Sequence, residues 1–314
     1  MLLITLLLIN CSRYLPKLDF KQKMVDFVIN ISTYAKSKDS TFYIFPQNAS
    51  GLWNSLGYLA AVDGIGQEDL YYGYSGDGEK TSRQITKELE TNLAEYVKTK
   101  KLVLTTDYVF ENNDTPSFSH DELRKINDAY FSSHAKGFVP YCTVRELSYL
   151  NVNPEKEPSP NTSPIVLDSV RDFIYILQHS QSIGRQQFLD SLAKLGFDLI
   201  IMDYADNGIP YTASEISTLK HKSNAILLAY MSIGEAEDYR FYWKQEWTHK
   251  SNRPSWIEGE NPDWKGNYLV RYWEKPWQRL IFGSPSSYLD IIISQGFDGI
   301  YLDKIDSYEN FLNR

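Results

Sequence analysis

The sequence predicts an α/β fold arranged as a (β/α)8 barrel, and three observations carry that prediction. Short apolar runs without polar alternation recur eight times, as parallel strands buried on both faces require. Amphipathic helical stretches lie between most of them, which is the rhythm of βα units. The 314 residues suffice for one large barrel. An open doubly wound sheet, built from the same units, is the alternative.

The strand runs, in chain order, are Thr41–Phe45, Ala61–Ile65, Leu102–Thr106, Phe138–Tyr141, Phe173–Leu177, Asp198–Met202, Ala225–Met231 and Gly299–Leu302. Helical periodicity marks Phe20–Lys36, Gln84–Lys98, Asp121–Ala135, Arg185–Leu195, Ser214–Lys222 and Pro285–Gln295. A short helix is expected near Asn54 to Leu59. Thr212-Ala-Ser-Glu215 reads as a capping box, with the threonine hydroxyl and the glutamate satisfying backbone donors reciprocally. Two stretches break the rhythm. Residues 151–164 (NVNPEKEPSPNTSP) carry four prolines and are expected to link two halves, 17–150 and 165–314, across the surface. Tyr239 to Tyr272 is a long, Trp-rich excursion, and loops of that length in a compact domain are usually functional.

Composition narrows the function classes. Lys and Arg total 32 against 40 Asp and Glu, a net charge of −8 without a basic stripe, which argues against nucleic-acid binding. The five His and the cysteines Cys11 and Cys142 form no HxxxH or CxxC pair, so no metal, cofactor or disulfide framework is expected. Aromatics make up 14% of the chain, which suits sugar rings as well as core packing. Leu2 to Ile9 is apolar but far shorter than the ~20 residues a bilayer crossing needs. With Leu8-Ile9-Asn10-Cys11 as a lipobox, residues 1–16 read as a lipoprotein signal and short spacer. Export to the cell envelope with a lipid on Cys11 is the expectation.

Gly73 to Thr81 (GYSGDGEKT) looks like a phosphate loop, but Glu79 separates the second glycine from Lys80, and it does not join a strand to a helix. It is read as a turn. Neither GxSxG nor a GxGxxG after a strand is present. What remains is a set of acids at strand ends: Glu68, Asp107, Asp203, Glu235, Asp238 and Asp303. In a (β/α)8 barrel these ends share one face, where active sites form. Crowded carboxyls drive each other's pKa values apart, and two carboxyls in different protonation states are what glycosidic cleavage needs.

Four stretches, GEAEDYRFYWK (Gly234 to Lys244), GFDGIYLDKIDSY (Gly296 to Tyr308), YIFPQN (Tyr43 to Asn48) and LVLTTDYV, resemble the glycoside hydrolase family 114 barrels. They are most similar to the bacterial and archaeal branch once labelled cysteinyl-tRNA-synthetase-related. The resemblance runs from about Phe20 to Arg314 and implies an endo-α-1,4-polygalactosaminidase-like enzyme acting on galactosamine-containing exopolysaccharide. The order of the pieces differs from the family's. DFIYILQ (Asp172 to Gln178) opens the family pattern, whereas here it follows the pieces that should close it. The chain therefore reads as circularly permuted, family strands 5–8 before strands 1–4.

Carried over, the resemblance makes Asp303 the nucleophile and Glu68 the general acid/base, an arrangement similar to that of retaining α-galactosidases. Lys304 stands where the family has Asn. Asp203, Glu235, Asp238, Arg240, Gln47, Asp107, Tyr141 and Asp306 are candidate substrate contacts, and Trp243, Trp256 and Trp264 candidate stacking platforms. A monomer with a polysaccharide substrate is expected. The alternative is a non-catalytic barrel that binds polysaccharide at the cell surface; a metal-dependent deacetylase lacks its His and Asp ligands.

Overall fold

The structure, a computed structural model, describes residues 18–111, 116–156, 164–178 and 183–312. The lipidation expectation at Cys11 lies outside them. All eight predicted strands are present: β1 (Tyr43–Pro46), β2 (Gly64–Glu68), β3 (Leu102–Tyr108), β4 (Val139–Thr143), β5 (Phe173–Ile176), β6 (Leu199–Met202), β7 (Ile226–Ser232) and β8 (Gly299–Asp303). Nearly every residue in them is buried, which is why they read as continuous apolar runs.

The strands form two parallel sheets, β1-β8-β7-β6-β5 and β2-β3-β4. The last strand pairs with the first, Tyr43 opposite Gly299 and Phe45 opposite Tyr301. A parallel bridge between Gln47 and Gly66 joins the sheets on one side, with the Asn48 N–H donating to the Gly66 carbonyl at 2.7 Å. On the other side Tyr141 of β4 and Phe173 of β5 bring their rings to 5.5 Å. Phe20 and Phe311, near the two ends of the described chain, have ring centroids 5.4 Å apart.

Helices α1 (Phe20–Lys38), α2 (Arg83–Lys98), α3 (His120–His134), α4 (Arg185–Lys194), α5 (Ala213–Ser223), α6 (Lys275–Ile281) and α7 (Tyr288–Gln295) flank the sheets. The Thr212–Glu215 capping box opens α5 as expected, and a second one, Ser119 with Glu122, opens α3. The helix expected at Asn54 to Leu59 is instead a 3-10 turn, Ser50–Asn54, followed by one helical turn, Tyr58–Ala61. No described helix is long and apolar enough to cross a membrane.

Four aspartates pin the amino ends of the strands. Asp63 accepts from the Ile44 N–H, Asp298 from Leu227, Asp172 from Asp198, and Asp198 from Arg171. Each also faces a cation: Lys36, Lys220, Lys156 and Arg171 respectively. The recurring VDGI, FDGI, FDLI and RDFI stretches are thus a structural clasp, on the side away from the carboxyl ends.

Two expectations need correcting. The opening of the proline-rich segment does not run over the surface, because Asn151 and Asn153 are buried at 2% and 1% exposure. Their amides serve the outer edge of β4: Cys142 donates its N–H to Asn153, and its carbonyl accepts from both asparagines. An otherwise unpaired strand edge is satisfied this way. Lys156 then ties the segment to Asp172, beside β5, at 3.0 Å. The excursion after β7 is also ordered. Strands Glu235–Glu237, Ile257–Glu260 and Asn267–Val270 form an antiparallel sheet, so it is a small subdomain rather than an irregular loop.

Candidate active site

The carboxyl ends of all eight parallel strands contribute to the lining of one cleft of about 750 Å³. That volume lies within the range of small-molecule sites. The backbone turns sharply where strands give way to this cleft: Asn48, Leu147, Asn207 and Lys304 line it and all have left-handed φ between +49° and +61°. Non-glycine residues at positive φ carry a steric cost and cluster at functional sites.

Glu68 ends β2 and Asp303 ends β8, with β1 between them in the strand order. Glu68 Oε1 accepts a short hydrogen bond from the Tyr108 hydroxyl, and Oε2 accepts from Asn48 Nδ2 at 3.1 Å. Asn48 Oδ1 in turn takes the Glu68 N–H at 3.0 Å. Asp303 Oδ2 accepts from the Tyr230 hydroxyl at 2.6 Å, and Oδ1 from the Lys304 N–H at 2.6 Å. The left-handed turn at Lys304 aims that N–H back at the carboxylate.

The two acids thus differ in environment. Burial, followed by the charges of Asp303 and Asp69, pushes Glu68 up to about 7, against the hydrogen bonds from Tyr108 and Asn48. Asp306, at the same cleft, is pushed up to about 6 by burial and by Asp303, with Lys304 opposing. Burial works to lower the Lys304 ammonium, but Asp303, Glu235, Asp306 and Glu68 around it outweigh that and hold it above the usual lysine range.

The remaining expected contacts divide. Gln47, Asp203, Arg240, Asp306 and Trp264 line the cleft, and Trp264 is 40% exposed, free to present a ring. Arg240 is engaged by protein, however. Its Nη1 meets Asp203 at 2.7 and 2.9 Å and its Nε meets Glu237 at 2.7 Å. Glu235 is buried and bonded to Asn261, with Lys304 3.8 Å away, while Asp238 is exposed and its N–H pairs with the Gly266 carbonyl. Neither is part of the lining.

Four expectations are corrected because the side chains serve packing. Asp107 is wholly buried and accepts the N–H groups of Tyr71 and Tyr72, fixing the loop after β2. Tyr141 is buried against Phe173 and Phe197 and donates to Asn151. Trp243 stacks on Tyr268 at 4.8 Å, and Trp256 packs between Trp247 and Trp277, so both hold the excursion together. Among the described residues no group of His, Cys, Asp and Glu could hold a metal ion.

Sequence reasoning missed Tyr108, Tyr230, Asn48 and Glu237. The two tyrosines end or nearly end their strands beside the acid candidates, and that position was the available signal. Asn48 follows the YIFPQ run, and Glu237 lies two residues beyond Glu235.

Residues 162–314 match the glycoside-hydrolase family GH114. That segment, just under half of the chain, is similar to the GH114 family. The match covers the part carrying Asp303 and begins inside the proline-rich segment; residues 20–150, with Glu68, lie outside it. An uncharacterized protein of Methanocaldococcus jannaschii is 50% identical over 124 residues, 38% of this chain and 34% of that protein. One from Thermotoga maritima is 40% identical over 141 residues, 44% of this chain and 39% of its own length. One from Deinococcus radiodurans is 37% identical over 165 residues, 51% of each. The aligned stretches therefore span between about a third and a half of these relatives.

Proposed function

We propose that the protein is a retaining, endo-acting glycoside hydrolase that cleaves exopolysaccharide containing α-linked galactosamine or N-acetylgalactosamine. The observation carrying this reading is the contrast between Glu68, pushed up to about 7, and Asp303, held as an acceptor by Tyr230 and the Lys304 N–H at the same cleft. Asp303 attacks the anomeric carbon while Glu68 gives its proton to the departing glycosidic oxygen. A glycosyl-enzyme ester results. Glu68, now a carboxylate, takes a proton from water, whose oxygen attacks the anomeric carbon. Asp303 is released, Glu68 is again protonated, and the anomeric configuration is retained. Trp264 and Tyr239 on the cleft supply ring faces for flanking sugars.

Incubation with partially deacetylated α-1,4-galactosaminan, followed by product sizing, tests the reading. Internal cleavage with an α-anomeric first product is expected, and Asp303→Asn or Glu68→Gln should each abolish most of it. Binding without cleavage of any α-linked hexosaminan would replace the enzyme by a polysaccharide-binding protein.

The same reading treats the eight strands as one closed (β/α)8 barrel, circularly permuted. The pairing of β1 with β8, the Gln47–Gly66 bridge and a GH114 match confined to residues 162–314 support it. A gene reordered to place residues 164–312 before residues 18–156 should yield a folded monomer with the same activity. Failure of that chain to fold would count against the permutation. Export with lipidation at Cys11 belongs to the proposal too, and an unmodified Met1 terminus on protein from its native host would overturn it.

A further inference from the structure

Glu68 is held by more than its own strand. Its partner Tyr108 lies beneath the Arg145 guanidinium, 4.1 Å from the ring centroid. Arg145 follows β4, lines the cleft and is fixed by one loop: Asp77 Oδ1 at 2.6 Å from Nε, Asp69 Oδ1 at 3.0 Å and the Gly73 carbonyl at 2.8 Å from Nη2. That loop begins at Asp69, directly after Glu68. Space for the guanidinium depends on Gly73, at φ +118°, where a Cβ would lie 2.1 Å from Asp69 Oδ1 and 3.1 Å from Arg145 Nη2. Asp69 itself is left-handed at φ +58°. A loop shaped in this way around an arginine fixes that arginine relative to the acid beside it.

We propose that Arg145 is a positioning residue for Glu68, acting through the face of Tyr108 and through the charge of Asp69. The proposal rests on the reading of Glu68 as general acid/base. A planar guanidinium stacked on the Tyr108 ring keeps its hydroxyl on Glu68 Oε1, which a flexible ammonium would do less well. Its charge also offsets Asp69, whose carboxylate otherwise opposes ionisation of Glu68. The other titratable groups facing Glu68 are Asp303, Lys304 and Tyr301 at or after β8, and Tyr175 on β5. They are untouched by changes at positions 145 and 69.

The test is a carboxyl titration by NMR on protein carrying 13C at the glutamate side-chain carboxyls. The Glu68 signal is the one that disappears in Glu68→Gln. Arg145→Met should move its midpoint up by about one unit and Asp69→Asn should move it down, with the double variant close to the starting value. An unmoved midpoint, or shifts of the same sign in both single variants, would overturn the proposal. If Arg145→Met does not fold, Asp69→Asn carries the sign test, and Arg145→Lys should keep the midpoint while lowering kcat about tenfold with little change in KM. The alkaline limb of galactosaminan cleavage should follow the NMR midpoint. A limb that stays fixed while the midpoint moves would remove Glu68 from the acid/base role and leave the Arg145 assignment standing.

Discussion

Each candidate acid accepts from one tyrosine hydroxyl, Glu68 from Tyr108 and Asp303 from Tyr230, and both tyrosines are buried. Hydrogen bonds to charged groups contribute roughly 1.5–3 kcal/mol, so Tyr230→Phe should lower kcat about 10–100-fold. With Asp303 as the proposed nucleophile, KM should change little, since the hydroxyl bonds to that carboxylate. Steady-state kinetics beside a thermal melt separates this from misfolding. Gly66 makes a second case, because a Cβ there would lie 1.7 Å from the Tyr301 hydroxyl. Gly66→Ala should destabilise by about 1–3 kcal/mol by overpacking, read from urea denaturation midpoints. At this scale the sequence was informative about acids and poor about their partners. Glu68 and Asp303 stood out as charges at the ends of apolar runs. Tyr108 and Tyr230 did not, because they are 2 of 23 tyrosines and their role appears only when strands distant in sequence meet. Asp107 misled for the same reason: a strand-end aspartate serving two backbone donors looks in sequence like one facing a substrate.

Elements were legible wherever burial on both faces left a continuous apolar run, and the eight strands differ from their expected bounds by only a few residues. The segment after β4 was not legible, because four prolines and polar neighbours suggest a solvated connection. Its asparagines do the work of a strand without being one. Asn153 links the Cys142 N–H, the Cys142 carbonyl and the Tyr130 hydroxyl. Asn153→Ala would leave the buried N–H and the hydroxyl without this partner, whereas the carbonyl keeps Asn151. Unsatisfied buried groups cost roughly 1–3 kcal/mol each, so a loss of about 2–5 kcal/mol is expected in chemical denaturation. Hydrogen exchange should locate the added opening at β4, where amides should exchange faster than those of β7.

For the whole molecule, the carboxyls on and near the cleft tie stability to pH. Glu68 and Asp107 are pushed up to about 7 and Asp306 to about 6, in each case mainly by burial. The unfolded chain releases these protons near pH 4, so between about pH 4 and 7 the folded state binds more protons than the unfolded one. Stability then falls as pH rises: the contribution is fully present below the unfolded pKa values and is lost as pH climbs through the folded ones. Asp121 and Glu215 act in the opposite sense, lowered to about 2 by their cationic hydrogen-bond partners, but their contribution changes only below that window. The urea midpoint should therefore be higher at pH 5 than at pH 7.5. Glu68→Gln combined with Asp306→Asn should flatten the slope, since neither amide titrates. The ionisation that would make the cleft a catalyst near neutral pH is in this way also a source of instability there. A midpoint that stays level from pH 5 to pH 7.5 would show that these acids ionise in the folded protein as freely as they do in water.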